Sequence, residues 1–148
     1  MKFAGLAIAA LTSALASSTL AQQPGLIDRQ AFFGEVQIAG AQISPDGRYV
    51  SFLKPYKGVR NIWVKKAGDP FTAARPLSAD SKRPIRQYFW ARDSKYVVYA
   101  QDHAGDENFN IYAIDPAGPA DSATGVPTTR ALTDLQKVRV EIYALPKS

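Results

Sequence analysis

Four titratable side chains crowd one short stretch of this chain. Asp102, His103, Asp106 and Glu107 lie within Gln101-Asp102-His103-Ala104-Gly105-Asp106-Glu107-Asn108. An imidazole beside a carboxylate is two-thirds of a Ser-His-Asp relay, but the relay also needs a serine on a strained, exposed turn. No Gly-x-Ser-x-Gly elbow occurs anywhere in the sequence. His103 is the one histidine and reads as an exposed loop residue. Carboxylates as close as Asp102, Asp106 and Glu107 suit a hard cation such as calcium, yet their spacing does not follow the EF-hand pattern. They also suit contact with a ligand or partner from a loop face, or simply a polar turn capped by Asp and Asn. The residues thus specify no catalytic residue, no cofactor and no metal ligand. Asp106 and Glu107 stand as candidates for substrate contact.

A loop acts only where its scaffold puts it, and the scaffold is written as a repeat. Ile43-Ser44-Pro45-Asp46-Gly47-Arg48-Tyr49-Val50-Ser51-Phe52-Leu53 is answered by Trp90-Ala91-Arg92-Asp93-Ser94-Lys95-Tyr96-Val97-Val98-Tyr99-Ala100. Asp46 and Asp93 stand about 47 positions apart, inside the roughly 40–50 residues of one propeller blade. Asn61-Ile62-Trp63-Val64 answers Asn110-Ile111-Tyr112-Ala113, and Arg75-Pro76-Leu77-Ser78 answers Arg130-Ala131-Leu132-Thr133. Short runs rich in Val, Ile, Tyr, Phe and Trp, bounded by Gly, Pro and Asp, read as strands. The first blade, 36–80, is expected to hold strands Ala39–Ile43, Tyr49–Leu53, Asn61–Lys65 and Ala74–Leu77. The second, 81–135, is expected to hold Ile85–Trp90, Tyr96–Gln101, Asn110–Asp115 and Thr129–Leu132. A ninth run, Val138–Ala144, would open a third blade over 136–148. The fold class is therefore all-β: a partial β-propeller of two four-stranded blades and the first strand of a third.

Details of the repeat carry further expectations. Pro45 presets φ, Asp46 bonds its own backbone and Gly47 accepts positive φ. Ser94 replaces that glycine in the second copy, so its turn is less well specified. Trp63, Phe89, Trp90, Tyr99 and Tyr112 fit an inter-blade core better than a ligand platform. The Gly- and Pro-rich stretch from Pro116 to Pro127 reads as a mobile insertion.

The chain begins Met1-Lys2, continues apolar and Ala-rich from Phe3 to Leu15, and reaches Ser17-Ser18-Thr19-Leu20-Ala21. This is the pattern of a secretory signal peptide over 1–21, cleaved after Ala21; the apolar run is too short for a membrane span. Residues 22–35 form a linker and one helical turn, with Asp28 as N-cap and Gly34 as stop. An exported, periplasmic or secreted protein follows, with no membrane span after cleavage. Cysteine is absent, which removes disulfides and thiolate nucleophiles from the account. The formal charge of +5 becomes +4 without Lys2 (17 basic minus 13 acidic). Those cations are scattered, as on a solvated surface, and no nucleic-acid motif accompanies them.

The order of motifs is more specific than any one of them. Phe32-Phe33, Gln42-Ile43-Ser44-Pro45-Asp46-Gly47, Asn61-Ile62-Trp63-Val64, Arg83-Pro84-Ile85-Arg86 and Gly105-Asp106-Glu107-Asn108 through Asp115 follow one another. That string resembles the start of an exported bacterial prolyl oligopeptidase family serine peptidase, of the acylaminoacyl-peptidase and dipeptidyl-peptidase-like branch. The resemblance implies a propeller gating peptide access to a C-terminal α/β-hydrolase domain. That domain supplies the serine, aspartate and histidine, and none of those positions exists in this chain. It implies a peptide substrate, no cofactor, and no activity for this chain by itself. Two other readings stay open: a TolB-like periplasmic propeller acting as a non-enzymatic binding scaffold, and a short protein that oligomerises to complete a ring. Two blades leave apolar faces uncovered, so the chain alone is expected to aggregate or order only in part.

Overall fold

The computed structural model describes Asp28, residues 37–103 and residues 105–143. Asp28 is exposed and outside any regular element, and the expected signal peptide and the rest of the 29–34 helical turn fall outside the described residues. Apart from Asp28, the described residues belong to one compact unit, Glu35–Ser148.

Eight strands form two sheets. The first joins β1 (Ala39–Ile43), β2 (Tyr49–Tyr56), β3 (Val59–Lys66) and β4 (Arg75–Pro76) in chain order. The second joins β5 (Tyr88–Trp90), β6 (Val97–Gln101), β7 (Asn110–Ile114) and β8 (Thr129–Ala131) in the same order. All six pairings are antiparallel. A short 3-10 turn, Phe71–Ala73, precedes β4. Two sequential four-stranded meanders stacked face to face are the arrangement of neighbouring propeller blades, so the fold is all-β and a partial propeller.

The stacking is visible in the core. Leu53, Ile62, Val64 and Leu77 of the first copy pack with Ile85, Tyr88, Trp90, Val97, Tyr99 and Ile114 of the second. Several of these are fully buried, each contributing about 1.5–3 kcal/mol over an exposed side chain. Strand alternation decides which residues share that interface. Tyr49, Ser51 and Leu53 alternate along β2 and lie on the side of the second sheet, whereas Phe52 stacks on Phe71 at 4.9 Å.

One buried polar relay crosses the interface. Trp90 Nε1 donates to Ser51 Oγ at 2.8 Å, and Tyr88 Oη donates to the Gly40 carbonyl at 2.7 Å. That leaves the Ser51 hydroxyl proton for Tyr88 Oη, 2.9 Å away. Gly40 sits at φ 56 in an irregularity of β1, with the Leu53 side chain beneath it. A side chain there would be strained by its backbone angle, and the carbonyl that Tyr88 reaches is displayed by that bulge.

The repeat extends to hydrogen bonds. Asn61 Oδ1 accepts the Ser78 hydroxyl and the Asp80 N–H, both at 2.8 Å; Asn110 Oδ1 accepts the Thr133 hydroxyl at 2.8 Å and the Leu135 N–H at 2.9 Å. Ser78 Oγ and Thr133 Oγ1 in turn accept the Ile62 and Ile111 N–H groups, each at 2.9 Å. An Asn near the start of the third strand thus clasps the exit of the fourth in both sheets.

Several expectations change. The Ser94 turn is well specified: Ser94 adopts φ 60 against 72 for Gly47, and both N–H groups close the same turn, at 2.9 and 2.8 Å. Ser94 is buried, and its Oγ accepts the Asp46 N–H of the other turn at 2.9 Å. The ninth run is not a strand over its described residues, Val138–Tyr143. Without a partner strand no ladder forms; Val140 donates to the Phe109 carbonyl at 2.9 Å, and Val140 and Ile142 lie against Val98, Ile111 and Ala113. β5 begins at Tyr88 rather than Ile85, because the Ile85 N–H goes to the Arg60 carbonyl at 2.9 Å. β2 and β3 run on into a hairpin whose two tip residues, Lys57 and Gly58, have φ 51 and 83, the signs a type I′ turn requires. The Pro116–Pro127 insertion has internal order: Asp121 Oδ1 accepts the Ala123 and Thr124 N–H groups at 2.9 and 3.0 Å, and Ala120 bridges Pro127.

Candidate functional site

Antiparallel meanders put alternate connections at opposite ends of a sheet. The β2–β3 tip and the β6–β7 loop, 102–109, therefore share one end, with the connection between the sheets, 80–87. The candidate residues lie here. Asn61 fixes Asp80, whose Oδ1 accepts the Lys82 N–H at 2.7 Å and the Arg83 N–H at 2.6 Å. Gln101 Nε2 donates to the Arg83 carbonyl at 2.8 Å.

Arg83 organises the loop. Its Nε donates to Asp102 Oδ1 at 3.0 Å, and its Nη2 lies 2.9 Å from Asp102 Oδ2. The Asp102 side chain is buried, while the Arg83 side chain is about one-third exposed, 35%. This two-point contact holds Arg83 above its ordinary pKa, through the Asp102 hydrogen bond first and its charge second; Asp80 and Glu107 add smaller contributions. Sequence reading grouped Asp102 with Asp106 and Glu107. The structure takes it out of that group, because its oxygens face Arg83. The missed partner had a signal: an arginine at the entrance of the second repeat and a carboxylate directly after that repeat's second strand, β6.

Asp106 is exposed and turned onto its own loop. Oδ1 accepts the His103 N–H at 3.1 Å and the Asn108 N–H at 3.0 Å, and Oδ2 accepts Asn108 Nδ2 at 3.0 Å. The Asn108 side chain is the main reason its carboxyl titrates below the usual range. Asp106 therefore shapes the loop. Glu107 follows it, exposed, at φ 59. A non-glycine residue there carries about 1–2 kcal/mol of strain, which the Asp106 cap and the Arg83 anchor sustain. His103 is exposed. Among the described residues no group of three or more His, Asp or Glu side chains converges to hold a metal ion.

The aromatic residues divide by face. Trp90 and Tyr99 are inter-sheet core, with Tyr112 stacked on Tyr99 at 5.5 Å. Trp63 lies away from that core, edge-on to Tyr56 with Lys54 over its ring. Phe89 lines a cavity of about 360 Å3 under residues 139–142. The core expectation thus holds for three of the five.

No protein-family model matches the chain. Dipeptidyl aminopeptidase BIII of Pseudoxanthomonas mexicana is 42% identical over 107 residues, covering 72% of this chain and 15% of that protein. Dipeptidyl peptidase family member 6 of Caenorhabditis elegans is 27% identical over 88 residues, covering 59% of this chain and 12% of that protein. The chain therefore spans about one-seventh or less of the curated relatives it matches. Among solved structures, TolB from Acinetobacter baumannii aligns with a TM-score of 0.44 at 17% identity, over 63% of this chain and 20% of its own. Among the described residues no helix is long and apolar enough to cross a membrane. Across its matched residues, the sequence supports a dipeptidyl peptidase-like family for this chain.

Proposed function

We propose that this chain is propeller sequence of an exported serine-type dipeptidyl peptidase, with its two blades gating peptide access to a hydrolase domain encoded elsewhere in the intact enzyme. The observation that carries the reading is the 42% identity to dipeptidyl aminopeptidase BIII across 107 residues. The two stacked blades and the loop end they hold fit a propeller part of such an enzyme. In this reading Glu107 meets the peptide substrate, and Asp106 holds the loop that presents it. Export rests on the basic start and apolar, Ala-rich run of the first 21 residues.

The test is a chimera. The aligned segment of the Pseudoxanthomonas mexicana enzyme is replaced by this chain's, and hydrolysis of chromogenic dipeptide anilides is followed. Activity within about tenfold of the parent is expected. Glu107→Gln in the chimera should raise KM about tenfold with kcat little changed, the signature of lost substrate binding. A folded but inactive chimera would overturn the gating role, and an unchanged KM would remove Glu107 from it. The chain alone should not react with a fluorophosphonate serine probe.

A further inference from the structure

Beside the Arg83–Asp102 pair, the same end of the sheets holds a cleft of about 640 Å3 between the β2–β3 tip and the connection between the sheets. Its charged lining is Arg60, Lys82 and Arg86, and its other walls are Pro55, Gly58, Val59 and Pro84. No acidic side chain lines it. The ion pairs among the described residues go elsewhere: Asp46 to Arg48, Asp102 to Arg83 and Glu141 to Arg139. Three cations therefore share one concave surface whose lining holds no carboxylate; the acidic groups nearby are turned elsewhere, Asp80 onto the Lys82 and Arg83 N–H groups, Asp102 onto Arg83 and Glu141 onto Arg139.

The walls are held, which separates this cluster from cations scattered on mobile loops. Ile85 N–H to the Arg60 carbonyl, 2.9 Å, ties one wall to the other. Asp80 fixes the backbone at Lys82 and Arg83, and Gln101 fixes the Arg83 carbonyl. Arg60 is half-buried, whereas Lys82 and Arg86 are exposed. Concave surfaces lined by one sign of charge focus their field and concentrate opposite charge. Two prolines and a valine give the cleft apolar walls against which a backbone can lie. Guanidinium groups pair with carboxylates in a planar, two-point geometry.

We infer that the Arg60–Lys82–Arg86 cleft binds a carboxylate-bearing, acidic peptide segment. The proposal is independent of the peptidase reading, since it concerns binding and requires no hydrolysis. The experiment uses the 148-residue chain held soluble as a fusion to an inert carrier protein, with the carrier alone as blank, and two fluorescein-labelled peptides of equal length, one with three consecutive glutamates and one with glutamines in their place. Anisotropy should show the glutamate peptide bound at least tenfold more tightly. Arg60→Gln/Lys82→Gln/Arg86→Gln should weaken that binding tenfold or more. Lys66→Gln/Lys95→Gln/Lys137→Gln removes the same net charge elsewhere and should change it less than twofold. The single variant Lys82→Glu alters one exposed side chain, keeps the fold, and should cost at least threefold. Equal losses in the two triple variants, no preference for glutamate over glutamine, an unaffected Lys82→Glu variant, or displacement by millimolar inorganic phosphate as effective as by unlabelled glutamate peptide would each overturn the assignment.

Discussion

Removing the Asn61 side chain should open the first sheet more than the matching change at Asn110 opens the second. Asn61 is fully buried and makes four side-chain bonds, to Ser78, twice to Asp80, and to the Val59 carbonyl at 3.1 Å. Asn110 is 9% exposed and makes three, to Thr133 and twice to Leu135. An intramolecular hydrogen bond contributes about 1 kcal/mol net, and a buried partner left unsatisfied costs about 1–3 kcal/mol. Ser78 is buried, so its hydroxyl loses its acceptor without gaining water, whereas Leu135 is exposed and re-solvates. Asn61→Ala should therefore cost about 3 kcal/mol and Asn110→Ala about 1–2 kcal/mol. Amide hydrogen exchange reads both: the Ile62 and Ile111 N–H groups are held by the hydroxyls that these asparagines orient. Exchange at Ile62 should quicken by about two orders of magnitude, and at Ile111 by about one. Equal acceleration, or a larger effect at Ile111, would refute the argument that burial rather than the repeated motif sets the cost.

Three further outcomes are expected. Burial pushes the Tyr88 phenol up to about 12, so the folded state keeps its proton where the unfolded chain has lost it. That stability is complete below pH 10 and declines as pH rises toward 12; urea midpoints across this range should fall for the native chain and less for Tyr88→Phe. The Asp46 carboxyl is held down to about 2, by the Ser44 hydroxyl first and the Arg48 backbone second. Its contribution is present above pH 4 and lost as pH falls toward 2, and Asp46→Asn should flatten the acid limb of the same titration. At Ser94, alanine loses the Asp46 bond and keeps the strained φ of 60, and should cost about 1–2 kcal/mol, whereas glycine loses the same bond but relieves the backbone and should cost about 1 kcal/mol less; equal midpoints for the two variants would show that backbone strain is not part of the cost.

How much of this was legible in the sequence depended on the period of each signal. Strands that alternate and repeat, such as β2 with β6 and β3 with β7, carry two independent signs of their place, so their existence was readable. The hairpin through Pro55 and Lys57 was hidden because a proline and a non-glycine residue occupy positions that usually announce a break and a turn. Val138–Tyr143 has strand composition, but a strand is defined by a neighbour, and composition names none. At the candidate site, sequence adjacency grouped Asp102 with Asp106 and Glu107, and pairing with Arg83 separated them. The Arg60–Lys82–Arg86 cleft was illegible for a related reason: its cations come from two segments that only the closing of the sheets brings together.

The bond from the Asp46 N–H to Ser94 Oγ distinguishes two copies that otherwise look alike. It runs from the earlier turn to the later one, and it needs a hydroxyl that Gly47 lacks. If the two repeats exchanged places along the chain, the acceptor would stand on the wrong side of the interface. A perfected repeat, with glycine in both turns, would fold each sheet as well and lose that distinction. The irregularity works as an address, telling each blade which neighbour it follows.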